Sequence, residues 1–334
     1  MTGTNSKKPA KRCQINCVLL LFFTITAFLY GVYITSYNKR PYTSSRKFLE
    51  LFISRYHPVP AVNSSQEVLD KLNSSSLVQV HFIDVGHGNA IVLLDDDGTV
   101  IMIDSGNRYY SKEVVRYLEK LGVKKIDLFV ITHYHNDHIG GVPAILETFM
   151  IKKFALSKYQ PEYLASRFLR QIEGKVAYEH VGVGHTWQFG TIELRVVGPI
   201  REYEHLKGKP GFYVENNYSI VTQLVTPAIN VLFMADAKRR AELDLVNSYA
   251  DLKTDVLQVG HHGRYGSTTE ELLDVSKPRY AIISTCGNYP YAHMDIISKL
   301  EQIGCKVLRT DHHGSIVLKA TEKEYWFKVS RNHS

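Results

Sequence analysis

The amino-acid sequence predicts an α/β fold of stacked sheets covered by outer helices, preceded by a single N-terminal transmembrane helix. Three observations carry that expectation. Residues 17–34 form an almost unbroken apolar stretch without a charge. From Leu77 onward short apolar runs alternate with longer amphipathic ones, hairpins first and strand-helix units after them. One strand-to-helix loop, Thr132-His133-Tyr134-His135-Asn136-Asp137-His138-Ile139-Gly140-Gly141, packs three imidazoles and a carboxylate into a few positions.

In chain order, residues 1–16 form a basic tail with Lys7, Lys8, Lys11 and Arg12, and 17–37 read as a transmembrane signal anchor. The apolar stretch just reaches the roughly 18 residues that a bilayer span needs. No small-x-small cleavage site follows Tyr30, so the segment reads as uncleaved. Lys39, Arg40, Arg46 and Lys47 follow it closely, which leaves little of the charge asymmetry that sets orientation. The bulk of the chain is placed outside the cytoplasm. Cys13 and Cys17 flank the membrane entry, where a thiol can be acylated, and Cys286 and Cys305 read as buried free thiols. Residues 38–76, rich in Ser, Tyr, Lys and Pro, form a juxtamembrane stalk with helices at 44–54 and 66–72.

Residues 77–334 read as one catalytic domain. Strands are expected at 78–85, 89–94 and 100–103, the last two joined by the turn Asp95-Asp96-Asp97-Gly98. The apolar run 126–131 is a buried strand and 142–150 a helix. Further strands are expected at 192–197, 219–225, 231–234, 255–259, 279–283, 306–308 and 315–318. Helices fill the gaps at 111–121, 161–171, 238–248, 268–274 and 293–303. No repeat of fixed short period is visible.

The histidine loop is costly to hold together without metal. His133 and His135 project alike, while Asp137 and His138 turn toward a neighbouring point, so one loop can serve two cations. Imidazole with carboxylate suits zinc, and also manganese or iron. Two later strand ends extend the set. Asp236 closes the run Val231-Leu232-Phe233-Met234-Ala235, where a bridging carboxylate is needed, and His261-His262-Gly263 follows the strand at 255–259. The sequence leaves open which of His261 and His262 is the ligand.

This ordered set resembles the metallo-β-lactamase fold superfamily, hydrolases with an αββα sandwich and usually a binuclear metal site. A closer resemblance is to the β-lactamase-like domain of ComEC-type competence proteins, the DNA-uptake channels. It rests on Phe82-Ile83-Asp84-Val85-Gly86-His87-Gly88-Asn89-Ala90, Ile103-Asp104-Ser105-Gly106, His138-Ile139-Gly140-Gly141, Asn217-Tyr218-Ser219, Met234-Ala235-Asp236, His261-His262-Gly263 and Arg309-Thr310-Asp311, and it runs from about residue 78 to 318. One anchor stands in place of the many-helix channel, so the resemblance does not imply a pore. It implies His133, His135, Asp137, His138, Asp236 and His261 or His262 as ligands of two divalent metal ions. His135 departs from the aspartate common in ComEC-type loops and restores the general superfamily pattern. Asn217 stands where the superfamily often has a histidine, and its amide oxygen is a poorer ligand.

For chemistry, two cations about 3.5 to 4 Å apart activate a water for attack on phosphorus or a carbonyl carbon, with Asp137 able to orient it. His293 aligns with a histidine of the family's Gly-His-Pro-His segment and is the candidate for protonating the leaving group. Asp84 and Asp104 read as residues that support ligands or make turns, and Arg264, Ser267 and Ser219 as contacts for an anionic substrate. The expected function is a membrane-anchored, metal-dependent phosphodiesterase or nuclease acting on DNA or another nucleic acid, in contact with DNA-uptake or envelope machinery. The alternatives are a small-molecule or cell-envelope ester hydrolase, acting on a phosphocholine ester or lactone, and a non-catalytic metal-binding module in DNA uptake. A net charge of +7 agrees with an anionic partner but does not select one. The 21 tyrosines show no aromatic-basic alternation that would mark a single-strand groove.

Overall fold

A computed structural model of the chain describes residues 78–159, 162–203, 215–249, 252–287 and 294–331. The basic tail, the expected anchor at 17–37, the stalk at 38–76 and His293 lie outside the described residues. Among the described residues no helix is long and apolar enough to cross a membrane.

The first half of the domain begins with β1 (Val78–Phe82), whose alternation sends Val78, Val80 and Phe82 into the core and turns His81 to the other face, where its Nδ1 lies 3.0 Å from Tyr117 Oη. Strands β2 (Ile91–Asp95) and β3 (Val100–Ile103) form the expected hairpin, in the register Ile91 opposite Ile103. The chain then runs through helix α1 (Ser111–Lys120) to β4 (Lys125–Ile126) and β5 (Leu128–Ile131). The run 126–131 was expected as one strand, and the structure divides it at Asp127. The Asp127 carboxylate accepts Val100 N–H at 3.0 Å and pairs with Lys125 and Lys152 at 3.0 and 2.6 Å, which pins a bend between the two pieces. The metal loop leads into α2 (Asn136–Ile139) and α3 (Val142–Thr148), and β6 (Met150–Ile151) pairs with β4 in a small separate sheet. Strand β7 (Lys153–Ser157), α4 (Glu162–Ile172) and β8 (Ala177–Val181) complete this half.

The second half starts with β9 (Thr186–Phe189), β10 (Ile192–Gly198), β11 (Val221–Val225) and β12 (Asn230–Phe233) in antiparallel succession. Strand-helix units follow: α5 (Arg239–Ser248), β13 (Val256–Gln258), α6 (Glu270–Ser276), β14 (Tyr280–Ile283), α7 (Met294–Gln302), β15 (Lys306–Arg309) and the single turn α8 (Thr310–His313). The helix expected at 268–274 begins instead at Glu270, because Thr269 Oγ1 accepts Leu272 N–H at 3.2 Å and so caps it. Strands β16 (Ile316–Ala320) and β17 (Tyr325–Val329) then return to the first sheet.

The two sheets have the orders β17-β16-β1-β2-β3-β5-β7-β8 and β15-β14-β13-β12-β11-β10-β9. They face each other across a core that includes Phe82, Leu93, Ile103 and Val130 from one side and Leu194, Leu224, Val231 and Phe233 from the other. On the outer face of the first sheet, Val114, Leu118, Val142, Ile145 and Phe168 cover Val92, Met102, Phe129 and Phe154. Ala241, Leu245, Leu272, Ile296 and Leu300 cover Leu232, Leu257, Ala281 and Ile283 on the second. The layer order is therefore αββα, as expected, and each fully buried apolar side chain adds about 1.5–3 kcal/mol. Cys305 is buried and Cys286 half-buried.

The parallel strands β3, β5 and β7 in one sheet and β12 to β15 in the other fix where chemistry can occur. Ligands in open α/β sheets bind beyond the carboxyl ends of such strands. Asp104 follows β3, His133 follows β5, Asp236 follows β12, and His261 and His262 follow β13.

Candidate metal centre

The metal loop leaves β5 at Thr132, which is tied down at once. Its N–H and hydroxyl reach the Asp104 carboxylate at 2.9 and 2.8 Å. His133 follows with 1% exposure, and His135 occupies the N-cap position of α2, so that one helical turn carries Asp137 and His138 back toward the same point. The loop is packed so closely on its neighbours that a Cβ on Gly88, at φ +142°, would lie 2.4 Å from the Asp137 carbonyl oxygen.

Two donor groups result, His133 with His135 and Asp236, and Asp137 with His138, Asp236 and His262. In each, one ligand atom per residue lies within 4.8 Å of the others. Asp236, 2% exposed, belongs to both. Its Oδ1 is 3.1 Å from His138 Nε2 and 3.3 Å from His262 Nε2, and its Oδ2 is 3.6 Å from His133 Nε2. Asp137 Oδ2 lies 3.4 Å from His262 Nε2.

The outer atoms of the rings are held by the protein. His138 Nδ1 meets Asp104 Oδ2 at 2.6 Å, and His262 Nδ1 meets the Ser284 carbonyl at 2.9 Å. His133 Nδ1 lies 3.1 Å from Thr132 Oγ1, and His135 Nε2 lies 2.9 Å from Glu215 Oε2. Such partners fix a ring's orientation and tautomer for ligation. By contrast, the inward atoms His133 Nε2, His138 Nε2, His262 Nε2 and Asp236 Oδ1 are buried without a hydrogen-bond partner. Each would cost about 1–3 kcal/mol if left so. A divalent cation removes that cost, and the nitrogen-oxygen donor set fits zinc, manganese or iron.

Burial is the largest influence on the ionisation of these groups. It holds His133 well below the ordinary imidazole value, with His138 adding to the effect. Burial also opposes charge on His138, but Asp236, Asp104 and Asp137 outweigh it and push His138 well above that value. Asp236 stays far below the carboxylate range because His138 and His262 overcome its burial. A proton on His138 thus does in this cluster what a cation would do, and a ring cannot ligate through a protonated nitrogen.

Other expected residues fall around the two groups. His262 is the member of its pair that enters a donor group, while His261 points its Nε2 at Asp236 Oδ2 from 3.9 Å. Burial lowers His261 to about 3. Both histidines have left-handed backbone, φ 48° and 57°, as do Asp104 and Ala235 at 58° and 48°, and such residues cluster at functional sites. Asn217 is buried, and its amide oxygen accepts Ala241 N–H at 3.2 Å. Ser219 Oγ supports the centre, accepting Asp236 N–H at 3.3 Å and lying 3.4 Å from His133 Nδ1. Ser267 is buried and donates to the Gly260 carbonyl at 2.8 Å, so it shapes the loop rather than facing solvent. Arg264 is exposed beside it. Asp84 accepts Gly86 N–H at 3.2 Å and pairs with Arg331, a turn role.

Two residues were missed. His87 lies with Nε2 3.3 Å from Asp137 Oδ2 and its ring 4.4 Å from that of His262. Burial lowers it to about 4. It stands inside the 82–90 motif, which was the available signal. Glu215 is a carboxylate at 4% exposure beside His135, and nothing in its spacing marks it.

Comparison with known proteins agrees with this geometry. The chain is 27% identical to ComE operon protein 3 of Bacillus subtilis over 93% of its own length and 40% of that protein. It is 27% identical to Competence protein ComA of Neisseria gonorrhoeae, over 70% of its length and 31% of that protein. It therefore spans well under half of these relatives. Among solved structures, CmlA, a diiron beta-hydroxylase from Streptomyces venezuelae, superposes with a TM-score of 0.50 at 14% identity, covering 74% of this chain and 55% of that one. That likeness concerns the fold alone. The ComEC-type resemblance read from the motifs is borne out by the competence relative, and the family model of the metallo-beta-lactamase superfamily matches residues 83–287, more than half of the chain. With its αββα sandwich and its paired His/Asp donor groups, the chain belongs to the metallo-beta-lactamase superfamily of metal-dependent hydrolases.

Proposed function

We propose that the protein is a phosphodiesterase that cleaves nucleic acid, DNA first, at a pair of divalent cations, zinc by its donor set. The observation that carries this reading is Asp236, whose two oxygens divide between two donor groups. Such a pair supplies, when bound, an activated water and a clamp on both the attacking and the leaving oxygen of an in-line displacement at phosphorus. The protein's own residues do the rest. His133, His135 and Asp236 would hold one cation, and Asp137, His138, Asp236 and His262 the other. Asp137 is the most exposed carboxylate of the set, at 19%, and would orient the nucleophile. His261 Nε2 lies 3.9 Å from Asp236 Oδ2, and His293 is the proposed proton donor to the leaving group. The competence relative supports a role in DNA uptake. The apolar stretch 17–34 supports a membrane anchor, and the catalytic domain is placed outside the cytoplasm.

The test is hydrolysis by the full chain, purified in detergent and loaded with zinc or manganese. Single- and double-stranded DNA and bis(4-nitrophenyl) phosphate are offered beside a His135→Ala Asp137→Ala double variant. Cleavage of DNA and of the small diester by the wild type alone supports the reading. Cleavage of only the small ester removes the nuclease assignment, and cleavage of neither removes the phosphodiesterase.

A further inference from the structure

The metal centre opens to solvent on one side. Its exposed members are His87, Asp137, His135 and His261, at 26, 19, 17 and 12%, while His133, His138, Asp236 and His262 are at 2% or less. Two short segments leave the centre directly. One is the turn Arg108–Tyr110, which follows Asp104-Ser105-Gly106; the other is Arg264-Tyr265, which follows His261-His262-Gly263.

Both segments are set against the site. A Cβ on Gly140 would lie 2.3 Å from Arg108 N, and one on Gly86, next to His87, would lie 2.6 Å from Tyr110 Oη, so the turn sits on the metal loop. Asn107 Oδ1 accepts Tyr109 N–H at 3.1 Å and fixes its start. On the other segment, Arg264 is close enough for its charge to bear on His87, His261 and Lys238. Lys238 in turn lies under Gly266, whose added Cβ would meet its Cε at 3.4 Å.

Each segment carries an arginine next in sequence to an outward ring. Tyr109 is 75% exposed and Tyr265 77%, the two most exposed large hydrophobic side chains among the described residues. The Arg108 guanidinium stands 5.0 Å from the Tyr109 ring centroid, which keeps that ring outside the core. Rings held out of the core beside positive charge, on two loops bordering a centre that cleaves phosphodiesters, match the way proteins grip unpaired strands: bases stack on the aromatics and phosphates meet the cations. A duplex hides the base faces that such rings need.

We infer that Tyr109 and Tyr265, with Arg108 and Arg264, are base-stacking platforms at the mouth of the metal centre and select a single-stranded nucleic acid substrate. This rests on the phosphodiesterase reading for its biological sense, but its test does not depend on turnover. The full chain in detergent, loaded with zinc, is titrated by fluorescence anisotropy with a phosphorothioate oligothymidylate that resists cleavage. An abasic oligomer of the same length and a blunt duplex are titrated beside it.

The wild type is expected to bind the thymidylate at least about 10-fold more tightly than either other probe. Tyr109→Ala and Tyr265→Ala should each lose about 5- to 100-fold for the thymidylate and little for the abasic oligomer, and Tyr109→Trp and Tyr265→Trp should retain affinity. Tyr178→Ala, an exposed ring on the edge strand β8, should match the wild type. Equal binding of thymidylate and abasic probes overturns the proposal, as does an equal loss for both in the alanine variants. Hydrolysis of bis(4-nitrophenyl) phosphate is scored separately. Its absence alongside base-selective binding defeats the phosphodiesterase reading and leaves the platforms standing; the converse defeats the platforms alone.

Discussion

Asp104→Asn tests how the protein prepares a histidine for metal. Asp104 is fully buried, and four donors converge on its carboxylate: His138 Nδ1 at 2.6 Å, Thr132 N–H at 2.9 Å, the Thr132 hydroxyl at 2.8 Å and Asn89 Nδ2 at 3.1 Å. Asparagine keeps the volume and tolerates the left-handed backbone at φ 58°, so the substitution changes hydrogen bonding with little added strain. It presents one acceptor and one NH₂ where two acceptors stood. If the oxygen stays on Thr132, the NH₂ faces His138 Nδ1, which must then accept. The ring's proton moves to Nε2, the nitrogen 3.1 Å from Asp236 Oδ1, and the ring cannot ligate in that form. If the amide flips, its NH₂ meets Thr132 N–H, and one buried donor is stranded at a cost of about 1–3 kcal/mol.

The first branch weakens one cation site and spares the other; the second leaves the His138 proton on Nδ1 and costs folding stability instead. Loss of such a supporting partner costs about 10- to 100-fold in metal affinity, or roughly 1.4–2.7 kcal/mol. The assay is metal content at buffered free zinc, read as two binding steps, with thermal melting in chelator as a check on folding. In Asp104→Asn the step belonging to Asp137, His138, Asp236 and His262 should move by that amount, while the His133 and His135 step moves far less. Wild-type affinity in both steps together with an unchanged melt would refute the argument that Asp104 sets the His138 tautomer.

Three further outcomes follow from the same structure. Glu215→Ala should weaken the His133 and His135 cation by about 10- to 100-fold, and Glu215→Gln by less, because its amide oxygen can still accept from His135 Nε2; identical titrations for all three proteins would remove Glu215 from the site. Glu242 on α5 is fully buried, accepting Thr268 and Thr269 N–H at 2.6 and 2.8 Å, and burial pushes its carboxyl from 4.5 up to about 7. The folded state holds that proton more tightly, so this contribution to stability is whole below pH 4.5 and is lost as pH rises through about 7, a fall of about 3 kcal/mol. Urea denaturation of the metal-free protein should show a shallower decline across that range in Glu242→Gln than in the wild type, and parallel curves would contradict it. Gly88→Ala forces a Cβ to within 2.4 Å of the Asp137 carbonyl at φ +142°, and should lower stability by more than about 2 kcal/mol and release metal, with an unchanged melt and metal content as the opposing result.

What the sequence revealed follows burial. The hairpin at 91–103 reads as two continuous apolar runs because both its faces are buried, and the helix from Ser111 carries a clean period because it buries one face. Strands β7, β8, β9 and β17 were not foreseen. Three of them stand at sheet edges where exposed positions interrupt the apolar run, as in Ala177-Tyr178-Glu179-His180-Val181 and the half-buried Tyr325–Val329. The division of 126–131 at Asp127 was hidden because its lysine partners are distant in sequence or exposed. Within the centre, the loop donors were legible because the chain writes them side by side. Glu215 and His87 were not, since each reaches the centre only through the meeting of loops from different strands. Asn217 stands apart from both cases: its spacing is that of a ligand, and its amide oxygen takes the Ala241 N–H of α5.

The centre also joins the two halves of the sandwich. Asp104, His133, His135, Asp137 and His138 hang from the first sheet, and Asp236 and His262 from the second, so a cation bound between them is a cross-link between sheets. The cost of the arrangement lies in the same residues. Asp104, Ala235, His261 and His262 hold left-handed backbone at about 1–3 kcal/mol each, and four inward polar atoms lack hydrogen-bond partners. The buried layers on either side supply the stability that lets this strained mouth persist. A cation held by these donors would relieve them and join residues that follow β5, β12 and β13, so metal affinity and folding stability would be two readings of one free energy.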